Sequence, residues 1–158
     1  MNILVTGSLG FVGSHLAKRY HYQGHNVVGI DNGVGGYDDN LTEVQTYKID
    51  CCDQSNLDNL FAKNNFDLVI HAACTAYEGL SVVSPVFVTR NTYDATVNVL
   101  TAAIKNNVKK FVYMSSMARY GNQSAPFTED MTPAPEDPYG IAKVAAEDTV
   151  KCLCDVNG

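Results

Sequence analysis

The stretch MNILVTGSLGFVGSHLAKRY, residues 1–20, decides the fold. A short apolar run at 3–5 leads directly into a turn that contains three glycines. Helical periodicity follows, because Val12, Leu16 and Tyr20 fall on one face of a helix. The order of strand, glycine-rich turn and helix predicts the first βα unit of a parallel sheet.

Short apolar runs and amphipathic stretches continue to alternate along the chain, which predicts one α/β domain over residues 1–158. The chain has 158 residues, of which 46% are hydrophobic, enough to bury one core. We expect a Rossmann-type, doubly wound parallel sheet of about five strands in the order 3-2-1-4-5, with helices on both faces. The strands are predicted at residues 3–5, 27–30, 44–49, 66–73 and 110–115.

Three helices are predicted after the first one. Asp53 is the predicted cap of the second helix, Ser84 caps a long helix over about 85–106, and the last helix spans about 138–154. The long helix is apolar on two sides, so we expect both sides to be covered. Residues 32–43 show no periodicity and are predicted to form a mobile loop.

Charge and cysteine content exclude several classes of protein. The net charge is −6 and the eleven basic residues are scattered, so no nucleic-acid-binding face is expected. The five cysteines lack the paired spacing of a zinc site, which predicts no metal site and a reduced, cytoplasmic protein. The N-terminus lacks the pattern of a signal peptide and no apolar run is long enough for a membrane span, so neither is expected.

The glycine-rich turn has the spacing G-x-x-G-x-x-G, from Gly7 through Gly10 to Gly13. Such a turn lets the backbone approach a pyrophosphate and directs a helix N-terminus at the anion. Glycine-rich turns that bind nothing also join strands to helices. The motif alone therefore leaves both possibilities open.

Asp31 ends the second predicted strand. It follows the glycine turn at nearly the spacing of about 20 residues expected of a carboxylate that accepts a hydrogen bond from a ribose 2′-hydroxyl. The same carboxylate would repel a 2′-phosphate, so NAD(H) is favoured over NADP(H). The alternative is that Asp31 is a solvated turn residue.

Tyr139 and Lys143 stand four residues apart on the last predicted helix and share a face. An ammonium beside a phenol stabilises the phenolate and lowers the tyrosine pKa, as a general base requires. The alternative is an exposed helical face on which Lys143 pairs with Glu147. Ser115 and Ser116 end the fifth predicted strand, where open α/β sheets place ligand groups, although serines there often cap the next turn.

Several segments occur in the order and approximate spacing of the extended short-chain dehydrogenases that act on nucleotide sugars. They are TGSLGFVG, Asp31-Asn32, KIDCCD, HAAC, NTYDATVNVL, MSSMARYG and PYGIAK. Over essentially all 158 residues the chain resembles the epimerase/dehydratase branch of that family, the UDP-glucose 4-epimerase-like members in particular. The resemblance implies NAD as the cofactor, a nucleotide sugar as the substrate, and hydride transfer at a sugar carbon as in 4-epimerisation.

The resemblance also implies roles for individual residues. Ser116, the general base Tyr139 and its partner Lys143 are the implied catalytic residues, and the last two also hold the cofactor. The other implied cofactor-binding residues are Gly7, Gly10, Phe11 and Val12 at the pyrophosphate, Asp31 and Asn32 at the adenosine ribose, Asp50 and Cys51 at the adenine edge, Ala72 and Ala73 over the cofactor, and Asn91 on the long helix. His71 is expected to be a buried strand-end histidine and not a catalyst.

Two departures from the family pattern bear on the chemistry. Relatives that dehydrate the sugar carry an Asp-Glu pair after the catalytic threonine, where this chain has Met117 and Ala118, so water elimination is not expected. The family's C-terminal substrate domain is absent from these 158 residues. The alternative function is therefore a non-catalytic NAD(H)-binding or interaction module, or half of a split enzyme completed by another chain. An unpaired fifth strand and the two-sided long helix predict a homo-oligomer or a partner chain.

Overall fold

The computed structural model describes residues 1–157 and contains one sheet of five parallel strands. The strands are β1 (Asn2–Thr6), β2 (Asn26–Asp31), β3 (Gln45–Lys48), β4 (Leu68–His71) and β5 (Lys110–Tyr113). Their order across the sheet is β3-β2-β1-β4-β5, so the predicted fold class and strand order are confirmed. Thr6 lies opposite both Ile30 and His71, which aligns the carboxyl ends of the three central strands.

Six α-helices surround this sheet in the described part of the chain. They are α1 (Phe11–Tyr22), α2 (Gln54–Lys63), α3 (Glu78–Val83), α4 (Pro85–Thr89), α5 (Ala95–Lys105) and α6 (Pro138–Asn157). Helix α3 was not predicted. The predicted long helix is interrupted by a π-helical turn over Arg90–Asp94, which separates α4 from α5. Such turns are frequent at functional sites because they redirect side chains within a helix.

The predicted helix caps have different outcomes. Asp53 caps α2 as predicted, since its carboxylate accepts a hydrogen bond of 3.1 Å from the Asn56 N–H. Ser84 is the N-cap residue of α4 and Pro85 is its first residue, as predicted, although the Ser84 side chain makes no capping hydrogen bond. Ser84 also closes α3, where its backbone N–H donates to the Leu80 carbonyl at 2.8 Å.

Apolar side chains cover both faces of the sheet, as expected of parallel strands that alternate between two buried faces. One face packs against α2 and α5 through a cluster that includes Leu4, Val69, Leu57, Phe61 and Val99. The other face packs against α1 and the segment before β3 through a cluster that includes Ile3, Val5, Ile70, Ala17 and Leu41. The fold is therefore three layered, with the sheet in the middle.

The segment 32–43, predicted to be a mobile loop, is held against the glycine turn. Leu9 anchors it, since its carbonyl accepts hydrogen bonds from the Tyr37 N–H at 3.1 Å and the Asn40 side chain at 2.7 Å. Leu41 is buried in the core. Leu41 is the one buried residue of this segment, and a single buried apolar residue is too little to produce a periodic pattern in the sequence.

The two apolar sides of the long helical segment are covered unequally. Val88, Val99 and Ala102 are fully buried. On the other side, Tyr93 reaches α6, where its hydroxyl lies 3.2 Å from the Thr149 hydroxyl. Part of the second side is thus covered within the chain. Among residues 1–157, no helix combines the length and the apolar composition needed to cross a membrane.

Candidate functional site

A cleft opens where the carboxyl ends of the central strands meet, the position at which open α/β sheets bind ligands. The predicted cofactor residues that line it are Gly7, Gly10, Asp31, Asn32, Asp50, Cys51, Ala72, Ala73 and Asn91. Its other lining residues are Val34, Gly35, Gly36, Ile49, Cys74, Thr75 and Ala95. The fold therefore brings most of the predicted cofactor residues together around one space.

The glycine turn forms the floor of this cleft. Close backbone contacts at two of its positions leave room only for glycine. Gly7 has a φ of +65°, and a Cβ there would lie 2.8 Å from the backbone of Ala73. A Cβ on Gly13 would lie 2.1 Å from the Gly7 carbonyl oxygen, so no larger residue fits. Phe11 and Val12 begin α1 with exposed side chains. What they can offer an anion is the backbone N–H groups of a helix N-terminus.

Asp31 is buried at the end of β2, so the alternative of a solvated turn residue is wrong. One carboxylate oxygen accepts a hydrogen bond of 3.0 Å from the Leu9 N–H, and the other accepts one of 2.8 Å from the Gly33 N–H. Each oxygen has two lone pairs and can accept once more. The carboxylate thus joins the glycine turn to the following loop while it still faces the cleft.

Lys143 is buried, and the alternative of an exposed pair with Glu147 is wrong. Its ammonium donates to the Met114 carbonyl at 2.7 Å, and its Nζ lies 5.8 Å from the centre of the Tyr139 ring. Glu147 instead pairs with Arg119 at 3.2 Å. The face of α6 that carries Tyr139 and Lys143 turns inward because α6 packs against the π turn and the segment after β5.

The pKa of Tyr139 differs from the sequence-based expectation. Burial raises the pKa of the Tyr139 phenol, and the neighbouring Cys74 thiol raises it further. The nearby Ser116 hydroxyl lowers this pKa, but by less than burial raises it. Burial also lowers the pKa of the Lys143 ammonium. The phenol therefore carries its proton at neutral pH in this structure.

Ser116 caps the turn that follows it, which is one of the two possibilities considered from the sequence. Its hydroxyl oxygen caps the 3₁₀ turn Met117–Tyr120 by accepting a hydrogen bond of 3.1 Å from the Ala118 N–H. The same side chain lies near the Tyr139 phenol and lowers its pKa. Its neighbour Ser115 donates to the Glu147 carboxylate. The end of β5 is thus tied to α6.

His71 lies fully buried at the end of β4, as expected. Its ring nitrogens lie 2.7 Å from the Thr6 hydroxyl and 3.1 Å from the Thr96 hydroxyl. Burial, with a smaller effect of the Lys143 charge, lowers the pKa of His71 to about 3. The imidazole is therefore neutral and links β1, β4 and α5.

Sequence reasoning missed Cys74, which lines the cleft and lies beside both Tyr139 and Lys143. It directly follows HAA at the end of β4, and a position just after a strand is the signal that singled out Ser116. All five cysteines of the chain are free thiols. Arg119 and Arg90 were also missed, because their partners are distant in sequence.

Comparison with known proteins bears on the identity of this site. The NAD dependent epimerase/dehydratase family matches residues 3–158. The chain belongs to this family. It is 36% identical to a UDP-glucose 4-epimerase of Halalkalibacterium halodurans, over 93% of this chain and 44% of that enzyme.

Solved structures agree with the family. UDP-glucose 4-epimerase of Thermotoga maritima with UDP-glucose superposes with a TM-score of 0.96 at 31% identity, over 100% of this chain and 52% of that chain. The Brucella ovis enzyme in complex with NAD has a TM-score of 0.94 at 34% identity, over 99% of this chain and 49% of that one. The family member described here thus spans about half the length of the proteins that it matches.

Proposed function

We propose that this protein binds NAD(H) in the cleft and acts in the 4-epimerisation of a nucleotide sugar, most closely a UDP-sugar. The observation that carries the proposal is that Cys74, which lines the cleft together with the glycine turn, lies beside the buried side chains of Tyr139 and Lys143. The relatives that bear the name UDP-glucose 4-epimerase support this choice of reaction.

The lining of the cleft fits an extended dinucleotide. Its floor carries glycine or alanine at 7, 10, 72, 73 and 95, so no side chain larger than a methyl group fills it there. The N-terminus of α1 supplies N–H groups for a pyrophosphate. Asp31 keeps acceptor capacity for a ribose hydroxyl. These residues would hold the pyrophosphate and the adenosine ribose of the cofactor.

NAD+, when bound, supplies the hydride acceptor and a positive charge. Tyr139 takes the proton from the sugar hydroxyl that is oxidised, and Ser116 hydrogen-bonds the same oxygen. Lys143, through its charge, stabilises the phenolate form of Tyr139 that accepts this proton and becomes the neutral phenol. Because burial raises the pKa of Tyr139 in this structure, the proposal requires added positive charge in the cleft to lower it.

The neighbours of Ser116 favour epimerisation over dehydration. Met117 is exposed and has no acidic group, and Ala118 packs against the start of α6. A Cβ placed on Gly140 would lie 2.9 Å from the Ala118 carbonyl oxygen. No acid/base pair follows Ser116 to protonate a leaving hydroxyl. The ketose formed by oxidation would instead accept the hydride back on its other face.

The test is conversion of UDP-glucose to UDP-galactose with NAD+, followed by chromatography of the sugar nucleotides. Tyr139→Phe should abolish conversion and leave NAD affinity nearly unchanged, because the hydroxyl serves proton transfer and not cofactor binding. Tyr22→Phe is the matched control, since Tyr22 is exposed on α1. Full activity of Tyr139→Phe would contradict the mechanism. NAD binding without turnover on any nucleotide sugar would favour the non-catalytic module.

We also propose that the protein self-associates and that it is cytoplasmic. Within residues 1–157, β5 pairs with β4 alone, and Val112 is 44% exposed. An open strand edge can pair with another chain. Val86 adds an exposed apolar side chain on α4. Sedimentation over a concentration series tests this, and a monomer at every concentration would contradict it.

A further inference from the structure

Polar contacts join the turn after β3 to the π turn at one end of the cleft. A guanidinium nitrogen (Nη1) of Arg90 donates to the Asp50 carboxylate at 3.3 Å. The same nitrogen lies 3.5 Å from the side-chain oxygen of Asn91. The Cys52 thiol donates to the Arg90 carbonyl at 3.3 Å. Arg90 therefore contacts this turn through both its side chain and its backbone.

The Asp50 carboxylate is oriented from two directions. Its Oδ1 accepts a hydrogen bond of 2.8 Å from the Cys52 N–H, and its Oδ2 accepts from Arg90. Each carboxylate oxygen can accept two hydrogen bonds, so capacity is left on the side that faces the cleft. Asp50 and Asn91 line the cleft, whereas Arg90 lies on its rim with its side chain about half exposed.

We infer that Arg90 is a positioning residue that holds the Asp50 carboxylate for recognition of the 6-amino group of adenine. The inference rests on the proposed binding of NAD. A carboxylate held in place accepts a hydrogen bond from an exocyclic amine but is repelled by a carbonyl oxygen at the same position. The cleft should therefore prefer NAD over its analogue in which hypoxanthine replaces adenine.

Arginine suits this place better than lysine would. The Nη1 nitrogen carries two N–H groups fixed in the plane of the guanidinium, so it can contact Asp50 and Asn91 together. The π turn places Arg90 next to Asn91 at the cleft, and its backbone carbonyl accepts from Cys52. A lysine there would keep the charge and lose the fixed geometry.

The experiment measures binding of NAD and of nicotinamide hypoxanthine dinucleotide by calorimetry. The unaltered protein should bind NAD about tenfold more tightly than the analogue, as one hydrogen bond to a charged group implies. Arg90→Gln should weaken NAD binding by about three- to tenfold and reduce the preference to about twofold or less. Arg90→Lys should fall between the two.

Lys109→Gln is the matched control. It removes one positive charge from another surface ion pair, in which Lys109 lies 3.2 Å from Asp67. That pair is at the start of β5, at the opposite edge of the sheet from the cleft. The control should leave both affinities and their ratio unchanged. Thermal unfolding of each variant confirms that it is folded.

The outcomes separate this inference from the proposed function. Equal weakening of both dinucleotides in Arg90→Gln would overturn the inference, because it indicates a general effect of charge. An unchanged preference in Arg90→Gln, or no preference in the unaltered protein, would overturn it while leaving NAD binding intact. Failure of the unaltered protein to bind NAD would overturn both. In an Asp50→Asn background, Arg90→Gln should cause no further loss of preference, and a further loss would also contradict the inference.

Discussion

The carboxylate of Glu147 lies 3.2 Å from the guanidinium of Arg119, with only 12% and 14% of the two side chains exposed. Ser115 donates a further hydrogen bond to the same carboxylate. Glu147 belongs to α6, whereas Arg119 and Ser115 belong to the segment that carries Ser116. The ion pair thus fixes that segment against the helix that carries Tyr139.

We predict that Glu147→Gln lowers turnover more than it lowers NAD affinity. Loss of the charge loosens Ser116 relative to Tyr139 without touching the glycine turn. Breaking a largely buried pair should also lower the free energy of unfolding by about 1–3 kcal/mol. Steady-state kinetics, calorimetry and chemical denaturation measure the three quantities. Asp58→Asn is the control, because its ion pair with Lys105 is exposed and should contribute less than about 1 kcal/mol. Unchanged turnover in Glu147→Gln would remove the positioning role.

We predict greater thermal stabilisation by NAD(H) than by NADP(H) at equal concentration. The buried Asp31 carboxylate should accept from the 2′-hydroxyl and repel a 2′-phosphate. Asp31→Asn keeps one acceptor oxygen and should narrow the difference between the two cofactors. Equal shifts with the unaltered protein, or a larger shift with NADP(H), would remove Asp31 from its proposed role.

We predict that Lys143→Ala lowers both NAD affinity and turnover, in contrast to Tyr139→Phe. The substitution removes the buried ammonium and leaves the Met114 carbonyl without its donor at 2.7 Å. NAD affinity should fall by about tenfold, measured by calorimetry. Lys151→Ala serves as the control, since Lys151 is exposed on the same helix. An unaltered NAD affinity in Lys143→Ala would restrict Lys143 to an effect on Tyr139.

We predict that His71 makes the protein less stable as the pH falls. Burial lowers its pKa from 6.5 to about 3, so below pH 6.5 the unfolded chain binds a proton that the folded chain does not. The contribution of His71 to stability is complete above pH 6.5 and is lost toward pH 3, by up to ~1.4 kcal/mol per pH unit. Denaturation curves at several pH values should show a shallower pH dependence in His71→Gln. His21→Gln is the control, since His21 is exposed. The same slope in both variants would contradict the prediction.

Much of the candidate site could be predicted because its signals are local. The spacing of Gly7, Gly10 and Gly13 and the end of β2 at Asp31 follow from neighbouring residues, and the structure places them at one cleft except for Gly13, which packs beneath it. The π turn at Arg90–Asp94 could not be predicted. An apolar pattern shows that a segment is helical but does not show where one extra residue enters a turn.

The sequence by itself determined the order of the strands, the parallel sheet and most of the residues at its carboxyl edge, because alternation and turn composition are properties of short stretches. The tertiary structure decided the partners of the charged groups. Lys143 bonds a carbonyl 29 residues away, and Arg90 bonds a carboxylate 40 residues away. It also decided that the pKa of Tyr139 is raised, since desolvation depends on which distant segments exclude water from the phenol.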